Sequence, residues 1–192
     1  MRIAVFCASA EGTGPVYIEA ARKLGRNIGE AGYELVYGGT NVGLMGIVAN
    51  ATMDYGGRVT GIIPECISRR GVAAQGLDCL IEAVDMKERK ALLREQADAF
   101  VALPGGWGTL EEIIEVITLK QLGEHSKPIV FLNIAGFYDG LWRFIGDIRK
   151  QGFISSAYDC LYEVIGEVDK VIPYLQQYKE ISVVQKYGKS KE

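Results

Sequence analysis

Ala99-Phe100-Val101-Ala102-Leu103-Pro104-Gly105-Gly106-Trp107-Gly108-Thr109-Leu110-Glu111-Glu112 decides the fold. Five apolar residues in a row, with no polar alternation, read as a strand buried on both faces, the pattern of a parallel sheet. Pro104 ends the strand, three glycines follow, and a helix is expected from Thr109 to about Leu122. Unpaired N–H groups and the helix dipole then converge on space that almost no side chain fills. Such a loop suits an anion the size of phosphate.

Outward from this stretch, apolar β-rich runs alternate with longer amphipathic segments, the signature of a parallel sheet covered by helices. Strands are expected at Ile3 to Cys7, Glu34 to Tyr37, Arg58 to Ile63, Ile129 to Leu132 and Leu161 to Val164. Helices are expected at Val16 to Ala31, Leu44 to Tyr55, Asp85 or Met86 to Asp98, Gly136 to Gln151 and Val168 to Tyr178. Glu65 to Ala83 is the least periodic stretch, with a short strand near Cys79 to Ile81 and little else. The expectation is an α/β fold, a single Rossmann-like domain over 1–178 with a parallel sheet flanked by helices. A polar C-terminal tail covers 179–192.

The chain has 192 residues, 48% hydrophobic and 23% charged, with a net charge of −3. That is the balance of a soluble globule with a full-sized core. It lacks the basic surplus of a general nucleic-acid binder. No apolar run approaches a membrane span, and the first one is too short for a signal segment. Four scattered cysteines, Cys7, Cys66, Cys79 and Cys160, include no C-x-x-C pair and fit a reducing compartment. Cytoplasmic residence is therefore expected. The one histidine, His125, cannot by itself furnish a multi-histidine metal site. It is expected at a helix C-terminus, where a partly charged imidazole is favourable.

Ligands of open parallel sheets bind beyond the C-terminal ends of the strands. Besides Pro104 to Thr109, two loops lie there: Cys7 to Gly14, and Gly38 to Gly46. The spacing Gly39-x-x-x-Gly43-x-x-Gly46 supports either an anion loop or a tight strand-to-helix turn. Thr109-Leu110-Glu111-Glu112 matches a capping box, with Thr109 as N-cap and Glu112 at the third helical position. Leu110, Ile113, Ile114 and Ile117 fall on one arc expected to face the core. Glu111, Glu115 and Thr118 form a stripe away from it, with Glu112 beside them. Arg89 and Lys90, in Met86-Lys87-Glu88-Arg89-Lys90, supply two cations near the start of the preceding helix, and Arg suits bidentate contacts to phosphate or carboxylate.

Together these residues resemble the Lonely Guy (LOG) family of cytokinin riboside 5′-monophosphate phosphoribohydrolases. Pro104 to Glu112 matches the family's P-G-G-x-G-T-x-x-E motif without a mismatch. Met86 to Lys90 resembles its M-H-x-R-K motif, and Gly38 to Gly46 its G-G-G-x-x-G-L-M-G run. Lys87, Thr40 and the run Cys7-Ala8-Ser9-Ala10 depart from the family pattern. The resemblance implies hydrolysis of the N-glycosidic bond of a purine nucleoside 5′-monophosphate, cytokinin nucleotide or AMP, to free base and ribose 5-phosphate. It implies a homodimer and needs no metal or organic cofactor. Catalytic roles fall on Arg89 and Glu112. Lys90, Gly106, Trp107, Gly108, Thr109, Leu110, Glu111 and Thr118 match substrate-contacting positions. Gly105 joins them in the loop expected to hold the 5′-phosphate, and Glu115 is expected to hold ribose hydroxyls. Ser9, Gly39, Gly43 and Met45 complete the expected substrate-binding set from the other two loops. Leu119 and Trp142 suit either a subunit interface or the core.

Three other readings compete. A nucleotide or molybdenum-cofactor carrier of similar fold has no need of Arg89 and Glu112. A lysine decarboxylase needs a lysine for the Schiff base and a partner for the pyridinium nitrogen, and no such pair stands out. A non-catalytic interaction protein leaves the acidic stripe unexplained.

Overall fold

A computed structural model describes residues 1–181; the rest of the expected tail, 182–192, lies outside them. The strands are β1 (Arg2–Phe6), β2 (Glu34–Tyr37), β3 (Arg58–Pro64), β4 (Cys79–Ala83), β5 (Ala99–Ala102), β6 (Ile129–Leu132) and β7 (Glu163–Ile165). The helices are α1 (Pro15–Glu30), α2 (Gly43–Asp54), the single turn α3 (Glu65–Ser68), α4 (Met86–Gln96), α5 (Trp107–Leu122), α6 (Asp139–Lys150) and α7 (Val171–Gln177). All seven strands form one sheet in the order β4-β3-β2-β1-β5-β6-β7, parallel throughout.

The order reverses between β1 and β5. From β1 the chain winds outward through β2, β3 and β4. It then returns to β5 and winds the other way. Loops leaving β1 and β5 therefore part to opposite faces and open a crevice, the place where such sheets bind ligands.

The core has two halves because strand side chains alternate. Ala99 and Val101 of β5 pack with Ile3 and Val5 of β1 under α1 and α2. Phe100 and Ala102 pack with Ala4 and Phe6 under α4, α5 and α6. Trp142 is half-buried against the second half, edge-on to Phe131 and stacked on Tyr162. Leu119 is half-buried. Among the described residues, no helix is long and apolar enough to cross a membrane.

Three expectations are corrected. α5 begins at Trp107, with Gly106 as N-cap, so Thr109 and Glu112 form no capping box. The reciprocal cap stands one helix earlier. The Asp85 carboxylate accepts from the Glu88 N–H at 2.8 Å, and the Glu88 carboxylate accepts from the Val84 N–H at 2.6 Å. Second, the buried face of α5 is Thr109, Glu112, Ile113, Val116 and Lys120, and Ile114 is exposed. The helix is turned toward Glu112 because that carboxylate has a buried partner on α4. Third, burial pushes the pKa of His125 down, against the partial charge expected at a helix C-terminus. The Lys127 N–H donates to Nδ1 at 3.2 Å, which leaves the proton on Nε2, 2.9 Å from the Val116 carbonyl.

Candidate active site

The crevice at the switch point is a cleft of about 320 Å³. Its floor is the end of β1 with Cys7 to Ala10. One wall comes from Gly38, Thr40 and Met45, another from Pro64, Ile67 and Met86. The third is the start of α5, from Gly106 to Thr109 with Glu111 and Glu112.

At its centre Arg89 Nη1 donates to Glu112 Oε1 at 2.5 Å. Each residue is only 6% exposed. Arg89 Nε donates to the Ile62 carbonyl of β3 at 3.1 Å, which anchors the guanidinium from behind. Gly38 leaves space for its other edge. Burial pushes the pKa of Glu112 up, against the charge and hydrogen bond of Arg89, which hold it down; the net shift is upward. A buried, paired carboxylate with raised basicity at the base of an open cleft is suited to proton transfer and to stabilising positive charge.

Of the residues expected in the site, Ser9, Met45, Arg89, Gly106, Trp107, Gly108, Thr109, Glu111 and Glu112 line the cleft. Trp107 stands at the mouth, 90% exposed. Gly105 lies beneath, where any Cβ would collide with the Thr109 side chain. Lys90 is tied to Glu111 at the rim. The remaining residues lie elsewhere. Leu110 packs on the core. Thr118 is exposed, and its hydroxyl donates to the Ile114 carbonyl at 2.9 Å. Glu115 lies in a narrow crevice behind Glu112, bound to Arg94. Gly39 packs on Ile62, Ile63 and Leu80. At Gly43, φ is +56°, and a Cβ would stand 2.6–2.7 Å from the backbone of Ala8, Ser9 and Ala10. Gly43 thus seats the second glycine loop closely on the first.

Pro64 and Ile67 were absent from the expected set. Pro64 ends β3 and Ile67 falls in the aperiodic stretch after it, so only the rule that parallel strands end at the ligand side points to them. Cys7 lines the floor, but burial pushes its thiol far up, so it is no ready nucleophile. Thr40, in place of a family glycine, points its hydroxyl at the Met45 sulfur, 3.3 Å away.

Fold and site define a Rossmann-like protein with a buried arginine–glutamate pair at the sheet's switch point. The family described as "Possible lysine decarboxylase" matches residues 45–175. Cytokinin riboside 5′-monophosphate phosphoribohydrolase LOG2 of Arabidopsis thaliana is 42% identical over 177 residues, spanning 92% of this chain and 83% of that protein. LOG7 of the same plant is 43% identical over 178 residues, 93% of this chain and 82% of that protein. This chain belongs to that Lonely Guy (LOG) family. Among solved structures, the molybdenum-cofactor carrier protein of Chlamydomonas reinhardtii aligns with a TM-score of 0.69 at 21% identity, over 92% of this chain and 95% of that one. At that identity the likeness shows a shared fold.

Proposed function

We propose that this protein hydrolyses the N-glycosidic bond of purine nucleoside 5′-monophosphates, releasing free base and ribose 5-phosphate. The observation that carries the proposal is the buried Arg89–Glu112 pair lining a cleft beside the N-terminus of α5. The activity named for the relatives at 42% and 43% identity agrees with it.

Breaking the bond develops positive charge on the ribose. In this reading the Glu112 carboxylate stabilises that charge and orients the attacking water. The water oxygen bonds to C1′ as the C1′–N9 bond breaks. One water proton passes by way of Glu112 to the departing base, and the hydroxyl stays on the sugar. Arg89 keeps Glu112 ionised and fixed. The free N–H groups of Trp107, Gly108 and Thr109 hold the 5′-phosphate at the positive end of α5. The apolar wall of Met45, Pro64, Ile67 and Met86 takes the base, whether it carries an N6-alkyl group or is plain adenine. No step calls for a metal or organic cofactor.

The reading includes a homodimer, for which exposed Ile114 and Leu122 on α5 and Phe144 on α6 supply apolar surface. Light scattering that finds only monomer at micromolar concentration would remove that part. It also includes cytoplasmic residence, where unpaired Cys7, Cys66, Cys79 and Cys160 stay reduced.

The test is incubation with AMP and, separately, isopentenyladenosine monophosphate, with products separated by chromatography. Release of free base from either supports the reading. No base from any purine monophosphate at high enzyme concentration overturns it.

A further inference from the structure

Behind the cleft, α4 and α5 are joined by a second set of charges. Lys90 Nζ bonds to Glu111 at the rim and lies 3.5 Å from Glu115 Oε1. From the other side, Arg94 Nη1 donates to Glu115 Oε2 at 2.9 Å. Lys90, Arg94 and Glu115 are half-buried, while Glu111 is exposed and lines the cleft. The Arg94 turn is itself fixed, because Lys127 Nζ donates to the Arg94 carbonyl at 2.7 Å.

Two carboxylates thus compete for one ammonium group. Lys90 sits close on Glu111 and farther from Glu115, whose second oxygen is already occupied by Arg94. The charges alternate along the row: Glu111, Lys90, Glu115, Arg94. In a half-buried row such pairs are screened less than on an open surface. Removing the last cation leaves Glu115 without its own partner and draws Lys90 inward. Glu111 is then left uncompensated at the mouth of the cleft.

We propose that Arg94 is a positioning residue for the nucleotide site: it occupies Glu115 and so keeps Lys90 on Glu111 at the rim. The proposal rests on the reading that the cleft takes a nucleoside monophosphate. A phosphate dianion entering past a bare Glu111 meets like charge. Arg89 and Glu112 keep their own direct contacts, so binding suffers more than the bond-breaking step.

The experiment measures kcat and KM, with whichever of AMP and isopentenyladenosine monophosphate the wild type cleaves faster, for the wild type, Arg94→Met, Arg94→Lys and the double variant Arg94→Met/Glu115→Gln. Arg94→Met raises KM about five- to twentyfold and changes kcat less than about twofold, the scale of one partly shielded charge pair. Arg94→Lys restores KM. The double variant also restores it, because the competing carboxylate is gone; a merely structural role predicts a double variant no better than the single. An unchanged KM in Arg94→Met, or a double variant as impaired as the single, overturns the proposal. Calorimetric titration with AMP and with isopentenyladenosine monophosphate separates this from the hydrolase reading. If the wild type binds either nucleotide but cleaves neither, the hydrolase reading fails and Arg94 is judged by the same ratios in Kd. If the wild type binds neither, both fail.

Discussion

A Cβ on Gly38 would stand 2.5 Å from Nη2 of Arg89. The end of β2 is therefore shaped to receive the guanidinium that α4 delivers. Gly38 does not occupy the left-handed region, so alanine there tests space and not backbone strain. Gly38→Ala forces Arg89 away from Glu112 and lowers kcat/KM by about ten- to a hundredfold, as a misplacement near 1 Å does. The far-ultraviolet circular dichroism spectrum stays that of the wild type. Full activity in a folded Gly38→Ala protein would show that Arg89 need not sit where the structure puts it.

Replacing either member of the buried pair separates stability from chemistry. Arg89→Met strands a buried carboxylate, with a loss of about 3–5 kcal/mol in denaturant titrations. Glu112, already raised by burial, then rises further. A carboxyl raised above its unfolded value favours the folded state at low pH, and that contribution fades as pH climbs through the folded pKa. Arg89→Met is accordingly less impaired at pH 5 than at pH 8. Glu112→Gln keeps an oxygen to accept from Arg89, holds the fold better, and lowers kcat by about 10²–10⁴.

The pH dependence of the reaction follows from the same carboxylate. In the proposed mechanism Glu112 acts in its ionised form, so activity falls as pH drops through its pKa. Burial sets that pKa above the ordinary 4.5 despite Arg89. The acid limb of log kcat/KM against pH therefore lies above 4.5, and moves higher in Gly38→Ala, where Arg89 is displaced. A limb at or below 4.5 in the wild type would assign the titration to another group.

Much of this site is legible in the sequence, and the exceptions have identifiable causes. β5 is read correctly because a strand buried on both faces has to be apolar throughout. The start of α5 is misread by two residues because Thr109 and Glu112 imitate a cap, while Gly106 carries no side chain to announce itself as one. Periodicity within α5 puts Ile114 inside and Glu112 outside. It scores residues by their own polarity and cannot see Arg89, 23 positions upstream, which makes burial of Glu112 tolerable. The stripe of Glu111, Glu115 and Thr118 is correct as a face, but Glu115 turns toward α4 and Thr118 bonds its own helix. Pro64 and Ile67 enter the cleft through sheet topology, which no local pattern encodes.

Lys120 gives a prediction away from the cleft. It is 1% exposed, and its Nζ donates to the Tyr178 hydroxyl at 2.9 Å and lies 5.0 Å from the centre of that ring. The Tyr178 hydroxyl in turn donates to the Ser126 carbonyl at 2.8 Å, so the end of α7 is tied to the loop before β6. Among the described residues no carboxylate pairs with this ammonium, and burial pushes its pKa down to about 8 from 10.5. Between those two values the unfolded chain binds more protons than the folded one, so stability rises with pH across the window and levels off above it. Below about 8 the folded protein bears the full penalty of a buried charge. Methionine has similar length and no charge. Lys120→Met therefore stabilises the protein at pH 7 by about 1–3 kcal/mol and flattens the rise between pH 8 and 10.5. Denaturant titrations at pH 7, 9 and 10.5 read both effects. A methionine variant less stable than the wild type at pH 7 would mean that the Lys120–Tyr178 contact outweighs the burial of the charge.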